Sequence, residues 1–249
     1  MRRGVLTVVV VVTAWVLPLA GCATDDGPSS SPTTSTSTVS TSPNTSDAPM
    51  TAVPTTTPTS TVGSEQLAVW PAPGVVIDTP EAAAIDFVTH VLGVPATLGA
   101  FRQGDSRSGE VPVLFAGEGD NATGVQRSLL LLRQLGPAHG WYVIGAVNDN
   151  AAITSPVSRA TVPAGVLTIE GIGRGFEGTV IVEAFLAGQV TRLDTVVAQG
   201  GSTATPEPFA ASLDLSAALP GDVVTLLVHG GVGHELDPGD FGAILVIVS

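Results

Sequence analysis

The segment GRGFEG at residues 173–178 fits the G-x-G-x-x-G pattern that cradles the phosphates of a dinucleotide. That pattern works when its glycines lead into a helix whose N-terminal amides meet the pyrophosphate. Here the β-branched run TVIV at 179–182 follows, so a helix is not expected. The segment is therefore predicted to be a turn or bulge between strands, with the Phe176 ring in the core.

A second candidate is the tail segment 229–240, which concentrates imidazoles and carboxylates that divalent cations accept as ligands. These side chains are His229, His234, Glu235, Asp237 and Asp240. The segment lacks both the H-E-x-x-H pattern and the ligand order of an EF-hand, and Gly, Asp and Pro are common in turns at strand ends. We predict a solvated hairpin loop, with a metal-binding loop as the alternative.

A third candidate is the polar segment GDSRSGE at 104–110, where a serine could serve as a nucleophile if a base lay nearby. The sequence has no G-x-S-x-G nucleophile elbow. The segment is predicted to be a surface loop before a strand, with its charges locally paired. His90 and His139 fall in a predicted helix and a predicted turn, without ligand residues at metal-binding spacing. We predict no catalytic, cofactor-binding or metal-ligating residue, and a protein that is not an enzyme.

The N-terminus has the organisation of a signal peptide, predicted for residues 1–21. Arg2 and Arg3 precede an apolar run at 5–17, and small residues follow it. A membrane-spanning helix is the alternative, but the run is shorter than the ~20 apolar residues that such a helix needs.

The four residues LAGC at 19–22 resemble the lipobox of bacterial lipoproteins, and Cys22 is the only cysteine of the chain. In that family the cysteine becomes the first residue after cleavage and carries a diacylglyceryl thioether. The resemblance implies lipid attachment at Cys22, with at least two acyl chains, which suffice for stable anchoring. It also implies a location on the extracytoplasmic face of the cell membrane.

Residues 22–64 consist mostly of Ser, Thr, Pro and small residues. Such a segment buries too little apolar surface to offset the entropy of ordering, so we predict a disordered tether. The chain has a formal net charge of -13, nine Arg and no Lys. Because the Arg residues are dispersed, the composition argues against nucleic acid as a partner.

Residues 65–150 are predicted to form a small α+β domain with one helix on an antiparallel sheet. Thr79, Pro80 and Glu81 give a helix start, and Gly93 followed by Pro95 ends the helix. Three strand-like runs follow at 110–116, 125–134 and 141–147. In the last of these, Trp141 and Tyr142 should point to opposite faces, one to the core and one outward.

Residues 151–249 are predicted to form an all-β sandwich of about seven short strands. One strand opens near Ile153, and the others are expected at 166–170, 178–187, 190–198, 209–215, 222–229 and 243–248. The segments VLTIEG at 166–171 and FEGTV at 176–180 resemble the immunoglobulin-like domain of bacterial sporulation and spore-germination proteins. The resemblance implies an envelope-associated module that binds proteins or wall components and has no catalytic residues.

Together these features predict a non-enzymatic, lipid-anchored envelope protein that presents an immunoglobulin-like module to a protein or wall component. The alternative is a small-ligand carrier or enzyme that uses the α+β domain. A purely structural spacer is a third possibility.

Overall fold

The computed structural model describes residues 67–115, 124–231 and 233–249, which belong to one compact unit. The predicted signal peptide, Cys22 and the tether lie outside the described residues. The described part is mostly antiparallel β-sheet with one short α-helix, in a β-sandwich-like arrangement. None of the helical segments in these ranges has the length and hydropathy needed to cross a membrane.

The helix α1 (Pro80–Phe87) begins where the sequence predicts. Thr79 Oγ1 accepts a hydrogen bond from the Ala82 N–H at 3.1 Å, and proline is well suited to the first helical position. A π-helical turn (Val88–Leu92) continues α1, and Gly93 ends it in the left-handed conformation, with φ 71°. The predicted start and stop signals are confirmed.

The strands found in the described residues are, in chain order, β1 (Thr97–Leu98), β2 (Arg102–Gln103), β3 (Ser108–Phe115), β4 (Val125–Leu135), β5 (Gly140–Val147), β6 (Ala151–Ser155), β7 (Ala160–Val162), β8 (Val166–Gly173), β9 (Thr179–Leu186), β10 (Arg192–Gln199), β11 (Glu207–Asp214), β12 (Val223–Gly230) and β13 (Phe241–Val248). The predicted strands correspond to β3 to β6 and β8 to β13. The short strands β1, β2 and β7 were not predicted.

The strands form two sheets. The larger has ten strands in the order β1-β3-β4-β5-β13-β12-β9-β10, with β2 beside β3 and β7 beside β13. The smaller has the order β11-β8-β6. All the pairings between these strands are antiparallel except that of β7 with β13.

Two hydrophobic cores lie on opposite faces of the large sheet. The helix-side core packs α1 against one face, and the sheet-side core packs the small sheet against the other. Strands β9, β12 and β13 contribute side chains to both cores, because successive side chains of a strand point to opposite faces of the sheet. On β12, for example, Leu226 lies in the sheet-side core and Leu227 in the helix-side core. These strands are therefore apolar along most of their length.

The predicted domain boundary at residues 150 and 151 falls where the turn after β5 ends and β6 begins. The large sheet crosses it, since β13 pairs with β5 through Ala243 and Ala146. The helix-side core crosses it as well, because Phe185 and Phe241 pack in the same core as Phe87. The division into two domains stays a prediction, which unfolding experiments would test.

The prediction that one of Trp141 and Tyr142 lies on an outer face was wrong, because both are buried. The segment 67–77 covers β5: the Val143 N–H donates to Trp70 O at 2.8 Å, and the Tyr142 hydroxyl donates to Val75 O at 2.6 Å. A chain segment without regular secondary structure thus buries the side chain that would otherwise be exposed. The alternation of side chains along the strand does not predict this segment's position.

Thr225 carries a buried hydroxyl that has no hydrogen-bond partner among the described residues. It lies on β12 beside Phe185 and Leu245, in the helix-side face of the sheet. A buried, unsatisfied hydroxyl costs free energy, so Thr225→Val is expected to raise the free energy of unfolding by about 1 kcal/mol. Urea denaturation would measure the change, with the exposed Thr195→Val as control. A loss of stability in Thr225→Val would contradict the prediction.

Candidate functional site

An open groove of about 460 Å³ lies on the helix side of the large sheet. Its floor is formed by outward-facing side chains of β9, β10 and β12, and one wall by the end of the helical segment and the residues after it. The segment 233–238 forms the opposite wall. We call this the β9–β12 groove; the residues of its floor and apolar wall are Ile181, Glu183, Arg192, His229, Val91, Leu92 and Val94.

Three ionisable side chains meet on the floor. Arg192 Nε lies 2.9 Å from Glu183 Oε2, and His229 Nε2 lies 4.0 Å from the same oxygen. Strand pairing brings them together, since β9 lies between β10 and β12 in the sheet. From the sequence, His229 was a candidate only as a member of the tail cluster, and Glu183 and Arg192 were not predicted as site residues. The available signal was a single carboxylate inside the otherwise apolar strand TVIVEAFL.

Arg192 is held in a fixed position. Its Nη1 donates to Val190 O at 2.8 Å and its Nη2 to Val91 O at 2.8 Å. The guanidinium also lies over the Phe185 ring, 4.5 Å from the ring centroid. These contacts tie β10 to the end of the helical segment, and they orient a positive charge against Glu183.

Burial lowers the pKa of His229, because removal from water disfavours the charged imidazolium. The neighbouring Glu183 carboxylate raises the pKa, and Arg192 lowers it further. The net shift of the His229 pKa is downward from the ordinary value of 6.5, so the imidazole is mostly neutral at pH 7. A neutral imidazole offers one N–H donor and one acceptor nitrogen.

The predicted solvated loop at 229–240 is partly wrong, because Asp237 and Asp240 are buried. Arg127 Nε donates to Asp237 Oδ1 at 2.9 Å, and Arg174 Nε donates to Asp240 Oδ2 at 2.6 Å. Asn148 adds a longer hydrogen bond to Asp240, at 3.4 Å. Both arginines come from distant parts of the chain, so the local sequence does not reveal that these carboxylates are paired.

This ion-pair network holds one wall of the groove in place. Asp237 also accepts the Gly239 N–H at 2.9 Å, which fixes the turn that follows the wall. Glu235 and Leu236, which precede Asp237 in the chain, are exposed, and this part agrees with the predicted solvated loop. Across the described residues, no group of three His, Cys, Asp or Glu has an arrangement that could hold a metal ion.

The segment 173–178 forms a turn between β8 and β9, as predicted. The Gly175 backbone packs so closely that a Cβ there would lie 2.0 Å from Thr179 O. The prediction that Phe176 enters the core was wrong, because its side chain is 53% exposed. The Phe176 N–H donates to Gly231 O, and the ring lies against Gly233 at the surface. The glycine at position 175 is therefore needed because the backbone packs too closely there for a side chain.

Residues 104–107 form the turn between β2 and β3, as predicted, and residues 108–110 already belong to β3. Asp105 Oδ1 accepts the Arg107 N–H at 2.7 Å, and this hydrogen bond is the largest cause of a lowered Asp105 pKa. Arg133 and Asp105 form an exposed pair at 3.5 Å. These contacts show that charged side chains of this segment form pairs at the surface.

His139 lies in the turn after β4, and His90 lies in the π-helical turn. His90 stacks on Trp70 with ring centroids 6.0 Å apart, and the Trp70 indole N–H donates to Asp86 Oδ2 at 2.6 Å. The cluster fastens the segment before α1 to the helix.

The groove therefore presents a charged cluster, Glu183, Arg192 and His229, on the floor of a cavity. Its groups can donate and accept hydrogen bonds beside an apolar wall. Comparison with known proteins adds no relative: no family model matches the chain, and no curated protein matches its sequence.

Proposed function

We propose that the chain is a non-enzymatic, lipid-anchored envelope protein that presents an immunoglobulin-like module to a protein or wall component. The observation that carries the anchor is the sequence LAGC at 19–22, which contains the only cysteine of the chain. The Ser/Thr/Pro-rich residues 22–64 would separate the folded part from the membrane by a tether.

The strand order supports the immunoglobulin-like module. If β6, β8 and β11 are taken as strands A, B and E, they form the ABE sheet of that fold. Strands β13, β12, β9 and β10 then take the places of G, F, C and C′ in the facing sheet. The core between these sheets contains Ile169 and Phe209 from one side and Val182 from the other.

The module in this proposal departs from a free immunoglobulin-like domain in one respect. The outer face of its GFC sheet is covered by α1, through Phe87 on the helix and Phe185 and Leu227 on the sheet. The space directly beneath α1 is filled by apolar side chains, so a carrier or enzyme with a ligand there is not favoured; the β9–β12 groove lies beside the end of the helical segment.

Cys22→Ala tests the anchor. The wild-type protein, expressed with its own leader in bacteria, is expected to partition into the detergent phase of Triton X-114 and to incorporate labelled palmitate. The variant is expected to lose both properties, since a thioether needs the Cys22 sulfur. Ser29→Ala, in the tether, serves as the matched control and is expected to behave as the wild type. Unchanged partitioning of Cys22→Ala would contradict the lipid anchor.

A further inference from the structure

We propose that the β9–β12 groove binds a neutral ligand rich in hydroxyl groups, namely a short oligosaccharide of the cell wall. The inference that the oligosaccharide comes from the cell wall rests on the proposed envelope location. The inference that the groove binds such a ligand depends only on the groove. The volume of about 460 Å³ lies within the range of about 300–1,000 Å³ in which proteins hold small ligands.

The floor of the groove is charge-balanced and already oriented. Arg192 neutralises Glu183, and its two backbone contacts and the Phe185 ring fix its guanidinium before any ligand arrives. Glu183 Oε2 faces Arg192 and His229, while no hydrogen bond from the described residues reaches Glu183 Oε1. The Glu183 side chain is only 14% exposed, so a ligand group that donates to Oε1 would replace water in a largely buried place.

A hydroxyl group suits this floor better than a charged group. A hydroxyl both donates and accepts, so it can use the open carboxylate oxygen together with the neutral imidazole of His229. The Arg192 guanidinium would repel a cationic ligand. Glu183, together with the net charge of -13 on the chain, would repel an anionic ligand. Because Glu183 and Arg192 balance one another, the floor itself carries no net charge that would favour an ion over a neutral ligand.

The surroundings favour a saccharide over an extended peptide. Peptides that bind a sheet commonly add a strand to a free edge, but β9 is paired on both sides, by β10 and β12. The middle of the floor consequently offers side chains and no free backbone edge, and β10 is the edge strand at the rim of the sheet. Val91, Leu92 and Val94 supply an apolar wall against which the C–H face of a sugar ring can pack.

The test is a titration of the purified full chain, in detergent micelles, with triacetylchitotriose as the neutral probe. Histidine ring and isoleucine methyl signals in NMR spectra report on the groove through His229 and Ile181. We expect saturable shifts of both signals at millimolar probe. The cationic chitotriose and the anionic trigalacturonate are expected to cause smaller shifts.

Glu183→Gln is expected to weaken binding at least about tenfold, because a hydrogen bond to a charged acceptor is lost. Leu92→Trp should block the groove sterically and abolish the shifts without altering the polar floor. Glu170→Gln, exposed on the small sheet, is the matched control and should bind as the wild type.

Absence of saturable shifts in the folded protein, or equal binding by Leu92→Trp, would overturn the saccharide site. Tighter binding of either charged probe would also overturn it. None of these outcomes bears on the anchor, which Cys22→Ala tests separately by detergent partitioning.

Discussion

Arg127→Met is expected to lower the free energy of unfolding by about 3–5 kcal/mol, the usual cost of breaking a buried ion pair. Arg127 is 16% exposed, and its partners Asp237 and Asp240 are 3% and 4% exposed. Without the guanidinium, the Asp237 carboxylate keeps only the Gly239 N–H among its described hydrogen bonds, and its charge stays buried. Urea denaturation followed by circular dichroism would measure the loss.

Arg133→Met is the matched control for this prediction. Arg133 lies on the same strand and pairs with Asp105, but its side chain is 46% exposed. Solvent screens such a pair, so the expected loss is at most about 1 kcal/mol. The double variant Arg127→Met, Asp237→Asn should recover part of the stability, because the uncompensated charge is removed. Equal effects of the two single variants would refute a buried network.

Phe241→Ala is expected to cost about 3–5 kcal/mol and to destabilise both predicted domains together. Phe241 begins β13 and is fully buried, and its ring lies 6.4 Å from the ring of Phe87 on α1. A cavity there removes contacts between the helix and a strand of the predicted second domain. Because β13 also pairs with β5 and β12, the whole unit is expected to unfold in one transition.

Two probes test this cooperativity. Fluorescence of Trp70 and Trp141 reports the helix-side core, and the methyl signal of Ile169 reports the sheet-side core. In both wild type and Phe241→Ala, the two probes are expected to give the same transition midpoint. Val197→Ala, exposed on β10, should leave the midpoint unchanged. Separate midpoints would support two independently folding domains with a boundary at residues 150 and 151.

Much of the secondary structure was predictable because its signals are local. Thr79 and Pro80 start α1, and Gly93 ends the helical segment, through hydrogen bonds and backbone angles that involve only near neighbours in the chain. The β-branched run after Gly178 likewise predicted β9 and excluded a phosphate-binding helix. These features follow from residue type and spacing.

The candidate site was not predictable in the same way. Glu183, Arg192 and His229 lie on three strands, and only the order β10-β9-β12 in the sheet brings them together. Phe176 illustrates the converse error: an aromatic residue after a glycine turn looks like a core residue, but the Gly231 contact holds its backbone at the surface.

The sequence by itself determined the helix, the main strands, the charge balance and the lipobox-like LAGC, because each depends on residues close together in the chain. Tertiary structure decided how the strands share one sheet, that Asp237 and Asp240 are paired with Arg127 and Arg174, and where a groove opens. Those features depend on contacts between residues as far as 110 positions apart. Strand alternation specifies that a side chain points to one face, whereas only the packed fold specifies what covers that face.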